Sequence, residues 1–330
     1  MIGPPPHETP VVVVLCEHVE ERPGHLDPLR TRFELRFTDA AGLPDAIAGA
    51  QVLFLWDFFS SAVEQVWDRC TDLQWIHVAA AGVDTLLFPG LVSSNVVVTN
   101  ARGTFDRPIA EFVLASVLAH AKLLHESHDL QGRHQWQHRE ARTVAGARVL
   151  VVGTGAIGRE IARLLDAAGL HVRGAGRSPR DADPDFGKVV SSADLPRQVG
   201  CADYVVNATP LTDATRALFD TAVFAAMKPT AHFINIGRGA SVVEADLLAA
   251  LTSRSIDGAS LDVFNTEPLP ADSPLWDAPG LVVSAHMSGD VVGWKDTLAT
   301  QFVDNAERWL AGKPLLNVVD KSLGYVKAGS

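Results

Sequence analysis

The sequence predicts an α/β protein built of two doubly wound domains. Short uninterrupted apolar runs recur along the chain with helix-like segments between them. A glycine-rich turn, Gly153-Thr-Gly155-Ala-Ile-Gly158, sits midway, between one such run and an amphipathic segment. A length of 330 residues gives room for about two domains.

The first apolar run covers residues 11–16 and is β-branched throughout its first four positions, which suits a strand buried on both faces. Similar runs follow at 51–56, 74–78 and 96–99, with a helix expected over 61–70. A long helix opens near Pro108. Its apolar residues Ile109, Phe112, Val113, Leu114, Val117 and Leu118 make a broad face that asks for burial, within the chain or against a second subunit. A second series opens at 147–152. Further strands are expected at 170–175, 204–208, 232–236, 258–263 and 281–284, with helices at 156–168, 221–227 and 244–251. A last helix, 293–310, is assigned to the first domain, whose series lacks a closing helix. The expected division is therefore 1–102 plus 291–330 for one domain and 103–290 for the other, with a cleft between them that closes about two crossings.

Hydrophobic residues make up 47% of the chain and charged residues 20%, an ordinary balance for a protein with a sizeable core. The net charge of −11 disfavours nucleic acid and anionic membrane surfaces as partners, so an anionic substrate must be drawn in by local arginines. Cys16, Cys70 and Cys201 are far apart and form no CxxC pair, which argues against a disulfide framework and a structural zinc. His125, His128, His134 and His138 lack converging acidic or thiol partners. They read as a solvated helix face, and no metal is expected. Residues 1–10 lack the features of a signal peptide and read as a short disordered lead-in; no apolar stretch approaches the ~20 residues of a membrane span. A cytoplasmic location is expected.

Each glycine of the turn has a physical reason. Gly153 permits the tight bend, Gly155 lets the backbone approach a pyrophosphate, and Gly158 lets the helix pack close to its strand. The amides of Ala156 and Ile157 then face the phosphates at the helix N-terminus. A carboxylate about 20 residues after the motif would mark NAD. None stands near Gly176, and Arg177, Ser178 and Arg180 follow at once, residues that suit a 2′-phosphate. NADP(H) is the expected cofactor, with NAD(H) second.

Three further motifs end apolar runs: Asn235-Ile-Gly-Arg238-Gly239, then Leu261-Asp-Val-Phe-Asn-Thr-Glu267-Pro-Leu269, then Ser284-Ala-His286-Met-Ser-Gly289. Open α/β sheets bind ligands at that end of their strands. Arginine offers a planar fork for a carboxylate, and histidine titrates near neutral pH and can pass a proton to a carbonyl oxygen.

The four motifs, in this order over residues 50–320, resemble the D-isomer-specific 2-hydroxyacid dehydrogenases, with glyoxylate/hydroxypyruvate reductases as the nearer likeness. The resemblance implies a flavodoxin-like substrate domain and a Rossmann-like dinucleotide-binding domain, a hydride transfer between NAD(P)H and a small 2-oxo or 2-hydroxy acid, and a homodimer. It places the substrate arginine on Arg238, its acid partner on Glu267 and the catalytic histidine on His286, with Glu267 favouring the imidazolium. Ala81 and Gly82 match the loop whose amides meet the substrate carboxylate, and Trp56 matches a pocket tryptophan. Thr209 and Pro210 match the segment lining the adenosine and phosphate side, while Ile236, Asp262 and Ser288 fall near the nicotinamide. One departure is Ala285, where the family usually has proline before the histidine; a small loop change is expected. The alternatives are another 2-hydroxy acid such as 3-phosphoglycerate, or a dinucleotide-sensing corepressor-like binding protein.

Overall fold

The computed structural model describes residues 9–327; the expected lead-in therefore lies, apart from Thr9 and Pro10, outside the described residues. In chain order the elements are β1 (Val11–Leu15), β2 (Glu34–Thr38), α1 (Leu43–Ala46), β3 (Val52–Leu55), α2 (Ala62–Gln65), β4 (Trp75–Val78), α3 (Pro89–Ser93), β5 (Val97–Asn100), α4 (Asp106–Ala121) and α5 (Leu124–Gly132). Then come β6 (Arg148–Val152), α6 (Ala156–Ala167), β7 (His171–Gly176), β8 (Arg180–Asp183), β9 (Gly187–Ser191), α7 (Pro196–Val199), β10 (Tyr204–Asn207) and α8 (Thr221–Ala226). Last are β11 (His232–Asn235), α9 (Glu244–Thr252), β12 (Gly258–Leu261), β13 (Leu281–Val283) and α10 (Trp294–Leu310). They form two compact units, one of residues up to 105 together with those from 291 onward, the other of residues 106–290.

The first unit carries a parallel sheet in the order β2-β1-β3-β4-β5, the flavodoxin-like order. Every residue of β1, β3 and β4 is buried, which is why these strands read as apolar runs, broken in β4 only by His77, whose Nδ1 lies 2.8 Å from Thr99 Oγ1. The edge strand β2 alternates polar and apolar residues and stays half-exposed, so it carries no such run and was not anticipated. The helix expected over 61–70 is broken: α2 ends at Gln65, Val66 leaves helical geometry, and a single 3-10 turn follows. There Trp67 packs edge-on against Phe88, 5.1 Å between ring centres. Helix α10 closes this unit. It buries Leu298, Ala299, Phe302, Ala306 and Trp309, and Phe302 stacks 4.1 Å from Phe54 and 5.4 Å from Trp75.

The second unit carries a sheet in the order β13-β12-β11-β10-β6-β7-β9-β8, parallel except for β8. Strands β8 and β9 were not anticipated, since Arg180-Asp-Ala-Asp183 is polar and β9 is only half apolar. Strand order reverses beside β6, so the crevice after β6 and β10 is the switch point where such sheets take ligands. Helix α4 packs along α6 through Ile109, Ala110, Val113, Val117 and Ala121, while Phe112, Leu114 and Leu118 stay half-buried; the face buried within the chain is narrower than its sequence suggests. The chain leaves α5 at Gly132, and His134 has a left-handed φ of 53°. His134 and His138 thus share no helix face, a correction to the expected arrangement.

Phe302→Ala removes the ring that joins α10 to β3 and β4. A loss of about 3–5 kcal/mol in unfolding free energy is expected, and denaturant titration of the two proteins checks it. Equal midpoints would show that α10 contributes little.

Candidate active site

Strand β6 delivers the chain into Gly153, whose φ is 107°. A Cβ there would stand 2.4 Å from the Ala208 carbonyl oxygen, and one on Gly158 would stand 1.9 Å from the Gly153 oxygen. A Cβ on Gly155 would meet nothing within 4 Å: that position faces open space. Gly155 caps α6 in an extended conformation and brings no side-chain acceptor to the first-turn amides, among them those of Ala156 and Ile157. The turn therefore fits a pyrophosphate, with room beside Gly155 and uncapped donors behind it. At the other end of α6, Gly169 takes φ 87° and Leu170 N–H returns to the Leu165 carbonyl at 3.1 Å, a glycine stop to the helix.

Strand β7 ends at buried Gly176, followed by exposed Arg177 and Ser178. Arg180 opens β8, and its Nε donates to Asp183 Oδ2 at 2.6 Å while Nη1 donates to the Ser178 carbonyl at 3.1 Å. The Asp183 side chain is 1% exposed and also takes both forks of Arg159 at 3.0 Å. Burial pushes this carboxyl up, but Arg159, Arg180 and the amides of Asp185 and Phe186 outweigh it and hold it far below the usual carboxylate range. Sequence reading missed Asp183 and Asp185, which belong to no motif.

Two asparagines end adjacent buried strands. Asn207 Nδ2 donates to Asn235 Oδ1 at 2.8 Å and to Ser241 Oγ at 2.6 Å, and Asn207 Oδ1 accepts from both N–H and Oγ1 of Thr209. Asn235 accepts from Gly237 N–H and donates to the Arg238 carbonyl, which also accepts from Ser241 Oγ. This network sets the segments of Thr209–Pro210 and Ile236–Arg238 beside the glycine turn. Ile236 is itself tied to β10 through the Asn207 carbonyl at 3.1 Å. Gly239 is required because a Cβ there would stand 1.9 Å from the Phe264 backbone. Of this network the sequence named Thr209, Ile236, Arg238 and the Asn235 motif, but not Asn207 or Ser241, which join them.

His286 Nδ1 lies 2.7 Å from Glu267 Oε2, and Glu267 Oε1 accepts from Phe264 N–H at 2.7 Å. Burial pushes the Glu267 carboxyl up, yet the bonds to His286 and Phe264 with the nearby Arg238 charge bring it below its ordinary value. It is ionised at neutral pH, so the bridging proton belongs to His286 Nδ1. His286 has φ 51°, a left-handed conformation that costs a β-substituted residue about 1 kcal/mol or more. Asp262 holds it there. Its carboxylate accepts from Ser284 Oγ at 2.6 Å, Met287 N–H at 2.9 Å and Ser288 N–H at 3.0 Å. Arg238 Nη1 donates to the Gly237 carbonyl at 2.9 Å, which orients the guanidinium. The structure thus brings Arg238, Glu267 and His286 together on the strand ends of the second unit. Asp262 and Ser288 are close to them, joined to each other by a hydrogen bond.

Trp56, Ala81 and Gly82 belong to the first unit, at the C-terminal ends of its strands. Trp56 follows β3, edge-on to Phe54 at 5.5 Å. Ala81 and Gly82 follow β4, where buried Asn100 donates from Nδ2 to the Ala81 carbonyl.

Residues 114–288 match the family model for the D-isomer specific 2-hydroxyacid dehydrogenase, NAD binding domain. A glyoxylate/hydroxypyruvate reductase A of Photorhabdus laumondii is 31% identical over 77% of this chain and 82% of its own length. An NADPH-dependent glyoxylate/hydroxypyruvate reductase of Sinorhizobium meliloti, solved with NADP and sulfate, superposes with a TM-score of 0.82 at 31% identity, over 96% of this chain and 100% of that one. A D-isomer specific 2-hydroxyacid dehydrogenase of Xanthobacter autotrophicus, solved with NADPH and MES, gives 0.81 at 30% identity over the same shares.

Asp262→Asn turns one acceptor oxygen into a donor facing the Met287 or Ser288 amide. Turnover is expected to fall about 10²-fold with the fold intact, read by steady-state rates beside circular dichroism. Wild-type turnover in a folded variant would remove Asp262 from the site's positioning. The Glu267 carboxyl has a lowered folded-state pKa. Its stabilising effect is therefore complete above the unfolded value of about 4.3 and is lost as pH falls through the lower folded value. The stability gap between wild type and Glu267→Gln should be constant near neutrality and shrink below about pH 4 in denaturation at stepped pH.

Proposed function

The chain belongs to the D-isomer specific 2-hydroxyacid dehydrogenases, NAD(P)-dependent oxidoreductases that move hydride between the nicotinamide and a 2-oxo or 2-hydroxy acid, and from that premise we propose that it reduces glyoxylate, hydroxypyruvate or a similarly small 2-oxo acid, with NADP(H) preferred over NAD(H). The observation that carries this is the His286–Glu267 pair at 2.7 Å, seated beside Arg238 on the same unit as the glycine turn.

The reduced nicotinamide supplies the hydride. Arg238 grips the substrate carboxylate with its planar fork and polarises the neighbouring carbonyl. Ionised Glu267 keeps the proton on His286 Nδ1 and fixes the ring, so Nε2 is the atom that gives a proton to the carbonyl oxygen. In the reverse direction the same nitrogen takes the hydroxyl proton. Gly153, Gly155 and Gly158, with the amides of Ala156 and Ile157, hold the pyrophosphate; Thr209, Pro210, Ile236, Asp262 and Ser288 form the surrounding wall. Arg177 and Ser178, with Arg180 behind them, serve the 2′-phosphate.

Two arginines near enough to be considered for a phosphorylated substrate are engaged elsewhere: Arg102 donates to the Lys327 carbonyl, and Arg107 pairs with Glu111 and Glu160. That favours a substrate without phosphate. A homodimer through α4 is part of the proposal, supported by half-buried Phe112, Leu114 and Leu118 and by Trp136, which is fully exposed in the segment after α5. Among the described residues no single helix is long and apolar enough to cross a membrane; α4 and α5 together have the length and composition but meet at a 62° bend, and α4 packs along α6. We place the enzyme in the cytoplasm.

Oxidation of NADPH with glyoxylate or hydroxypyruvate, followed by absorbance, tests the reading. His286→Ala should lose at least about 10²–10⁴-fold in kcat and still bind NADPH in a fluorescence titration. Faster turnover with NADH would overturn the cofactor preference alone; undiminished turnover in His286→Ala would overturn the assignment of the proton donor.

A further inference from the structure

We propose that Asp183 is a positioning residue that sets the preference for a 2′-phosphorylated dinucleotide, acting through Arg180 on the loop of Arg177 and Ser178. The proposal rests on the NADPH-linked dehydrogenase reading above. Asp183 is nearly sealed from solvent and accepts five hydrogen bonds: two from Arg159, one from Arg180 Nε, and two from the amides of Asp185 and Phe186. Arg159 is the fourth residue of α6, the helix whose first turn receives the pyrophosphate. Arg180 reaches from the same carboxylate to the Ser178 carbonyl. One carboxylate therefore ties the pyrophosphate end of the site to the loop that meets the adenosine ribose.

The direction of Arg180 decides its role. Nε is held by Asp183 and Nη1 by a backbone carbonyl of its own loop, so the guanidinium braces the loop from behind. Recognition of the phosphate falls to Arg177 and the Ser178 hydroxyl, both exposed on the loop so braced. Phe186 completes the support. Its ring lies under the Arg159 guanidinium at 5.6 Å and fills the space that a Cβ on Gly174 of β7 would need.

Asp185 supplies an internal control. It binds Arg159 and Arg163, and thus fastens the same hairpin to α6, but it makes no bond to Arg180. A carboxylate that merely held the hairpin in place would behave as Asp185 does.

The experiment measures kcat and KM for NADPH and NADH in wild type, Asp183→Asn, Asp185→Asn, Arg180→Gln, Arg177→Ala and the double variant Arg177→Ala/Arg180→Gln, with thermal midpoints alongside. Asp183→Asn should raise KM for NADPH about tenfold, with KM for NADH and both kcat values within about twofold. Asp185→Asn should lower the thermal midpoint without changing the ratio of the two KM values. Arg180→Gln, which cuts the same link from the other end, carries the test if Asp183→Asn fails to fold. Its effect should largely vanish in the Arg177→Ala background, because both act on one loop. Equal shifts for the two cofactors in Asp183→Asn or Arg180→Gln would overturn the proposal. So would independent, multiplying effects of Arg177→Ala and Arg180→Gln, which would make Arg180 a direct phosphate contact, or a gain in NADPH preference on loss of Asp183. A wild type that prefers NADH, with Arg177→Ala indifferent to the cofactor, would instead defeat the NADPH reading from which the proposal starts.

Discussion

Buried strands that end in polar residues organise this protein. Asn207, Asn235 and Asp262 close β10, β11 and β12 or follow them directly, and each side chain is at most 1% exposed. A buried polar group left without partners costs about 1–3 kcal/mol, so each must be satisfied by whatever chain lies above the strand. Here those chains are the segments that bear Thr209, Arg238 and His286. The demand for hydrogen bonds at three strand ends is thus what orders three active loops. The first unit repeats the device: Asn100, the last residue of β5, donates to the Ala81 carbonyl and accepts from the Arg102 amide.

Charge is organised on the same principle. The chain is acidic overall, and two carboxylates of the second unit, Glu267 and Asp183, are held ionised by the groups around them. Glu267 is ionised because His286, a backbone amide and the nearby Arg238 outweigh its partial burial. Asp183 is ionised because two guanidiniums and two amides surround it. In both cases the carboxylate is saturated by hydrogen bonds from within the protein. It fixes its neighbours: Glu267 holds the His286 ring and Asp183 holds Arg159 and Arg180, in a setting where a lowered local dielectric strengthens the pairing.

How much of this the sequence disclosed follows from how each feature is encoded. Strands covered on both faces are rich in apolar residues, so β1 and β3 were visible as unbroken runs and β4, β6 and β11 as runs that also hold His77, Arg148 and His232. The edge strands β2 and β8 need not be apolar, and β8 holds the buried Asp183 in a stretch that reads as a charged loop. Glycines were legible because each removes a specific collision, as Gly158 does against Gly153. Asn207 was not, because a lone Asn in sequence suggests a turn and nothing marks its partners as buried. Asp183 was hidden for a further reason: its principal partner, Arg159, lies 24 residues away and on a different element.

The departure at Ala285 shows how the strand-end constraint bears on the loop of His286. Proline before His286 would fix one backbone angle and restrict the residue preceding it, limiting the conformations from which the loop must be gathered. Alanine gives up that restriction, while His286 still has to sit at φ 51°. Asp262 bonds to Ser284 on one side of the histidine and to Met287 and Ser288 on the other. A segment pinned at both ends by one buried carboxylate has little freedom left between the pins, whatever residue stands at 285. Burial also makes those three bonds hard to exchange for water, since breaking them leaves a polar group, 1% exposed, without partners. The order that proline would have provided through covalent stiffness is supplied by the same demand for hydrogen bonds that shapes the other loops of the site.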